Sequence, residues 1–150
     1  MVREGDRAPE WQAKTTDGRT LSSSDLRGKP YVMFFFPKAF TSGCTVETKQ
    51  FAVAYPELAG LGVEVIGVSS DEHETQCRFA ESTGAKFPMI GDSDRALAKA
   101  FGVLWPLLPL AKRVTFVVDA SGVVRGVFRH ELAVDKHLGD VRKAIASLAG

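Results

Sequence analysis

An α/β fold, a mixed β-sheet covered by helices on both faces, is predicted by three features of the sequence. Two apolar runs, Tyr31–Phe36 (YVMFFF) and Val63–Ser69 (VEVIGVS), have the composition of strands buried on both sides. Between them lies a stretch with helical spacing, so the pair forms a β-α-β unit whose default crossover is right-handed. Further along, Arg113–Asp119 and Val123–Phe128 flank Ala120-Ser121-Gly122 as a hairpin, which adds antiparallel strands to the sheet.

The elements follow in order. Trp11 to Leu21 contains Asp17-Gly18, a turn dipeptide between two short strand candidates, which predicts an N-terminal β-hairpin. Ser24-Asp25-Leu26-Arg27 is one helical turn stopped by Gly28, with Pro30 behind it. Strand Tyr31–Phe36 is stopped by Pro37. A helix is predicted from Cys44 to Tyr55, with Phe51, Ala54, Tyr55 and Leu58 on one stripe, and Pro56 is expected to kink or end it. After the second buried strand, Asp71 with Glu74 three residues on marks a helix start, and Gly84 its stop. Phe87–Ile90 is a short strand and Arg95–Phe101 a short helix. A closing helix from Val134 to Leu148 carries Leu138, Val141, Ile145 and Leu148 on one face.

The 150 residues are expected to form one domain over 1–150, large enough to stand without disulfide staples. With 19 Lys+Arg against 18 Asp+Glu, the net charge of +1 supplies no general field for nucleic acid or an anionic membrane. Neither partner is expected. The first residues are charged where a signal peptide is apolar, and no run approaches a membrane span, so a soluble cytoplasmic protein is predicted. In a reducing compartment Cys44 and Cys77 are either inert filler or chemistry. His73 and Cys77 stand one helical turn apart, but with no second pair the chain lacks the ligands of a closed zinc site. No metal or cofactor is predicted.

Several catalytic signatures fail. Gly28-Lys29 runs into Pro30 and has no P-loop glycine ahead of it. Gly67-Val68-Ser69-Ser70 ends on Asp71 where a nucleophile elbow needs glycine. His130-Glu131 is followed by Val134 where a zincin has its second histidine, and Gly60-Leu61-Gly62 precedes a strand instead of following one. Glu47 stands where C-x-x-C dithiol exchange needs a second cysteine.

One constellation survives. A buried strand ends at Pro37, a loop follows, and Cys44 falls in the first turn of the next helix, at the carboxyl end of a strand where open α/β sheets build their sites. Unpaired backbone N–H groups and the positive end of the helix dipole favour a thiolate there. Thr41, in the same turn, can place its hydroxyl beside the sulfur. On these residues alone Cys44 is a nucleophile or a small buried hydrophobe.

From Pro37 to Cys44 the sequence resembles the peroxiredoxins, whose pattern Pro-x-x-x-Thr/Ser-x-x-Cys is matched by Pro37, Thr41 and Cys44. The wider string FFFPKAFTSGCTVE (34–47) is similar to the bacterioferritin-comigratory-protein or Q branch, as are VEVIGVSSD (63–71), FAESTGAKFPMIGD (79–92) and RVTFVVDASG (113–122). The resemblance implies a thioredoxin-like fold and reduction of hydrogen peroxide or organic hydroperoxides without a cofactor. It implies that Cys44 is the peroxidatic nucleophile, that Thr41 hydrogen-bonds the sulfur and the peroxide oxygen, and that Pro37 shields them from water. Arg113 matches the family's active-site arginine; by itself it reads as a solvated strand-end charge. Glu47, about one helical turn from Cys44, is either a plain helix-start carboxylate or tied to a cation such as Arg113.

The resemblance also implies how the cycle closes. One subgroup carries a resolving cysteine five residues after the first, where this chain has Lys49; another carries it in the next helix, where Cys77 stands. If Phe79 faces the core, Cys77 lies on the opposite, polar side with His73, Glu74 and Glu81, as a resolving or an idle thiol. Two cysteines on separate helices meet only if a helix unwinds. Thioredoxin or a similar dithiol is the implied reductant, and the branch includes monomers and homodimers. The apolar segment Val103–Leu110 either lines the peroxide entrance, forms a subunit contact, or packs beneath the helices.

Overall fold

The structure, a computed structural model, describes residues 1–129, 141–146 and 148. A two-stranded antiparallel hairpin, β1 (Gln12–Lys14) and β2 (Thr20–Ser22), precedes a 3₁₀ turn at Ser24–Leu26. The main chain of the fold follows as β3 (Tyr31–Phe36), α1 (Ser42–Gly60), β4 (Glu64–Ser69), α2 (His73–Thr83), β5 (Met89–Gly91), α3 (Ala96–Phe101), β6 (Val114–Val118) and β7 (Val124–Phe128). Helical residues 141–146 form part of a fourth helix, α4. The predicted start of that helix, from Val134 through Leu138, lies outside the described residues.

The five-stranded sheet has the order β5-β4-β3-β6-β7, with β3, β4 and β5 parallel and β6 and β7 antiparallel to their neighbours. This is the predicted mixed sheet. All six residues of β3 are buried because its alternating side chains enter two separate cores. Tyr31, Met33 and Phe35 join Trp11, Phe101 and Phe116 under the hairpin and α3. Val32, Phe34 and Phe36 join Phe51, Leu58, Phe79 and Val141 under α1, α2 and α4. The rings of Phe34 and Phe51 stack at 4.4 Å and dock α1 on the sheet. Gly67 of β4 leaves room for this stack, since a Cβ there would come within 2.8 Å of Phe34 and 2.7 Å of Met89.

Three local expectations need correction. Helix α1 begins at Ser42 and runs through Pro56 to Gly60. Proline removes only one backbone donor, and fully buried Leu58 beyond it anchors the last turn, which closes with Leu61 N–H donating to Glu57 O at 3.2 Å. Asp71 does not cap α2. The cap position is Glu72, and the Asp71 carboxylate is engaged elsewhere. The fifth strand is Met89–Gly91, shifted toward the glycine because pairing with β4 begins at Gly67↔Met89. Gly84 ends α2 as predicted, with φ of +71°.

The β6–β7 turn is held by one carboxylate. Asp119 accepts hydrogen bonds from Ser121 N–H (2.9 Å), Val123 N–H (3.0 Å), the Ser121 hydroxyl (2.6 Å) and Arg125 Nε (2.7 Å). Partial burial works to raise its pKa, but these donors outweigh it and bring it down to about 2. A carboxylate depressed in the folded state contributes stability above its unfolded pKa and loses it as pH falls through the folded value. Asp119→Asn is therefore expected to cost about 1 kcal/mol at pH 7, discounted for solvent screening. Urea melts of the two proteins should converge as the pH is lowered from about 4 to about 2.

Candidate active site

The site is assembled where β3 ends and β6 begins. Antiparallel pairing of Phe35 with Val114 sets Arg113, one residue ahead of β6, beside the carboxyl end of β3. The chain leaving β3 passes through half-buried Pro37 and enters α1 at Ser42, so Cys44 lies in the first turn of that helix. Ser70 fixes the approach to Arg113 from the other side, its hydroxyl accepting from Ala111 N–H at 3.1 Å.

Cys44 is 1% exposed, and Arg113 Nη2 donates to its Sγ at 3.3 Å. Arg113 Nη1 donates to Glu47 Oε1 at 2.9 Å, with both side chains buried. One planar guanidinium thus links a sulfur and a carboxylate that share a helix face. Burial works against the charged guanidinium, but Glu47 and then Cys44 outweigh that and hold its pKa above the ordinary arginine value. The cation expected near Glu47 is in place. Gly43 makes the approach possible, because a Cβ there would stand 3.1 Å from Arg113 Nη2.

The Thr41 hydroxyl donates to Lys38 O at 2.8 Å, and the Thr41 carbonyl accepts from Thr45 N–H at 2.9 Å. At the position before the first helical residue, the side chain closes the loop it belongs to. Cys77 is half-buried on α2 with its sulfur 3.4 Å from His73 Nε2, and Glu74 and Glu81 are exposed on the same helix. Cys44 and Cys77 are both free thiols.

The Val103–Leu110 segment closes on itself through the Leu104↔Ala111 bridge and Trp105 N–H to Leu110 O at 3.0 Å. Its tip is not packed under the helices: Leu107 is 95% exposed. Among the described residues no cluster of three or more metal-ligating side chains occurs, and no helix is long and apolar enough to cross a membrane.

Comparison with known proteins decides the family. The AhpC/TSA family model matches residues 4–127. Peroxiredoxin Q of Populus jackii, a chloroplastic protein, is 33% identical over 148 residues, 98% of this chain and 70% of the relative. The chain belongs to the AhpC/TSA family. Peroxiredoxin Bcp of Escherichia coli is likewise 33% identical, over 133 residues and 85% of each chain. Among solved structures, peroxidoxin BcpB of Mycobacterium tuberculosis superposes with a TM-score of 0.87 at 33% identity, covering 99% of this chain and 97% of its own. The bacterioferritin comigratory protein of Xanthomonas campestris, studied for alkyl peroxide reduction, gives 0.85 at 27% identity, covering 93% and 92%. The fold is thioredoxin-like, and this peroxiredoxin is a thiol-dependent peroxidase.

Two features of the site were not among the sequence-derived candidates. Gly43 stands inside the recognised string, where only the absent side chain signals that something must approach. Asp71 reads locally as a helix start, and nothing among its sequence neighbours points to the Ala39 amide that it accepts from across the fold.

Proposed function

We propose that Cys44 is the peroxidatic nucleophile of a single-domain enzyme (1–150) that reduces hydrogen peroxide and organic hydroperoxides, with Cys77 as the resolving thiol. The observation that carries this reading is the Arg113 guanidinium donating to the Cys44 sulfur while anchored on buried Glu47. The sulfur attacks one peroxide oxygen; the S–O bond forms as the O–O bond breaks, and the leaving oxygen departs as water or an alcohol after taking a proton. Arg113 donors face the charge that moves from sulfur to oxygen, in a site already shielded from water. Pro37 covers the strand end, and Thr41 holds the loop through Lys38 O.

The sulfenic acid on Cys44 is then attacked by the Cys77 thiol, which forms the S–S bond and releases water. Half-burial beside His73 leaves Cys77 accessible, and its separation from Cys44 on another helix requires local unwinding before the sulfurs meet. A dithiol protein of the thioredoxin class returns the disulfide to thiols. The enzyme acts in the cytoplasm as a monomer or homodimer and needs no cofactor or metal.

Treatment of the reduced protein with one equivalent of hydrogen peroxide is expected to yield a Cys44–Cys77 peptide in mass mapping. Cys77→Ser should stop at a Cys44 sulfenic acid that a dimedone probe captures. If the wild type gives only sulfenic acid or bridges between molecules, Cys77 is not the resolving residue.

A further inference from the structure

The loop that carries Cys44 is tied to the helix that carries Cys77 by a buried carboxylate. Asp71 Oδ2 accepts the Ala39 N–H at 2.7 Å, a contact spanning 32 residues, and the Ser69 hydroxyl at 2.7 Å. The Ser69 hydroxyl also lies 3.0 Å from Gln76 Oε1, and Gln76 Nε2 donates to Ile90 O at 2.9 Å. Ala39, Ser69, Asp71 and Gln76 are all buried; Asp71, just ahead of α2, joins the end of β4 to a single loop amide, while Gln76 ties the first turn of α2 to β5.

The residue next to that amide is strained. Phe40 has φ of +67°, a conformation bulky side chains rarely adopt. Phe40 is 55% exposed, and its ring makes an edge contact with Phe79 of α2 at 5.2 Å. The segment Ala39–Phe40 is therefore held beside α2 by one charge-assisted hydrogen bond and one ring contact, in a backbone conformation that is costly for phenylalanine. Releasing the loop is what a meeting of Cys44 with Cys77 demands.

We propose that Asp71 is a positioning residue, a latch that holds the Cys44 loop on α2 and thereby sets the fate of oxidised Cys44. The proposal rests on Cys77 being the resolving thiol. Latched, the Cys44 sulfenic acid meets a second hydroperoxide and becomes sulfinic acid, with water or an alcohol leaving. Released, it condenses with the Cys77 thiol to a disulfide and water. The strength of one hydrogen bond divides the two products.

Asp71→Ala is expected to raise the ratio of disulfide to sulfinate under excess hydrogen peroxide about tenfold, the order of one charge-assisted hydrogen bond. Deuterium exchange of residues 38–43 in the reduced variant should accelerate by a similar factor. Asp71→Asn keeps an acceptor and should fall between the two. Val124→Ala, a core truncation in β7 on the other face of the sheet, should lower the melting temperature and leave both readouts at their wild-type values. The latch is refuted if Asp71→Ala leaves ratio and exchange unchanged, or if Val124→Ala shifts them equally. A wild type that forms no Cys44–Cys77 bridge removes the resolving role instead. Exchange alone then decides: faster exchange in Asp71→Ala keeps the latch, and unchanged exchange removes it.

Discussion

Cys44→Ser is expected to lose hydroperoxide turnover by on the order of 10⁴-fold or more, the scale on which removal of a covalent nucleophile registers. A serine hydroxyl at the same position is a far weaker nucleophile toward an O–O bond than sulfur, and it has no stable oxidised form equivalent to a sulfenic acid. The fold should tolerate the change, because Arg113 Nη2 can donate to the hydroxyl oxygen in place of the sulfur that it now faces at 3.3 Å. Peroxide consumption coupled to a thioredoxin system, with melting temperatures for both proteins, separates the two effects. The variant still carries Cys77, so any residual turnover measures what a half-buried thiol beside His73 achieves without the guanidinium. Turnover within tenfold of wild type would move the chemistry to Cys77 and dismantle the assignment of Cys44.

What the sequence revealed and what it hid follow a physical division. Strand β3 was legible to the residue because six consecutive apolar side chains fit only a strand covered on both faces, and two cores cover it. The β6–β7 hairpin was legible because its turn chemistry is local. Pro56 misled because its cost is one hydrogen bond, while the burial of Leu58 that outweighs it depends on a sheet not visible from local sequence. Asp71 misled for a related reason. A carboxylate ahead of a helix usually caps it, and only the folded chain brings the Ala39 amide within 2.7 Å.

The site divides in the same way. Cys44 at a helix start after a buried strand could be placed from spacing, whereas Arg113 was a strand-end charge until the resemblance gave it a role. Its contact with Cys44 spans 69 residues and exists because β6 runs antiparallel to β3. Glu47 could be reasoned toward its partner, since a carboxylate near a reactive sulfur needs a cation. Thr41 could not, because its choice between Sγ and the Lys38 carbonyl is a matter of one side-chain rotation.

Arg113→Ala should lower the rate of Cys44 oxidation by about 10²- to 10³-fold, the usual effect of deleting a preorganised donor to developing charge. It should also destabilise the protein by about 3–5 kcal/mol, because Glu47 is fully buried and loses the cation 2.9 Å from its carboxylate. Arg113→Lys keeps the charge but not the planar fork, and a single ammonium cannot reproduce both the 3.3 Å contact to sulfur and the 2.9 Å contact to Glu47. An intermediate loss of rate, about tenfold, is expected. The double variant Arg113→Met with Glu47→Gln separates structure from chemistry. Removing both charges together should return most of the stability in urea melts, since a buried ion pair replaced as a pair is often neutral. The oxidation rate, followed by loss of free thiol after mixing with peroxide, should stay as low as in Arg113→Ala. Should the rate recover along with the stability, Arg113 serves only to neutralise Glu47, and the donor aimed at the Cys44 sulfur is incidental to the reaction.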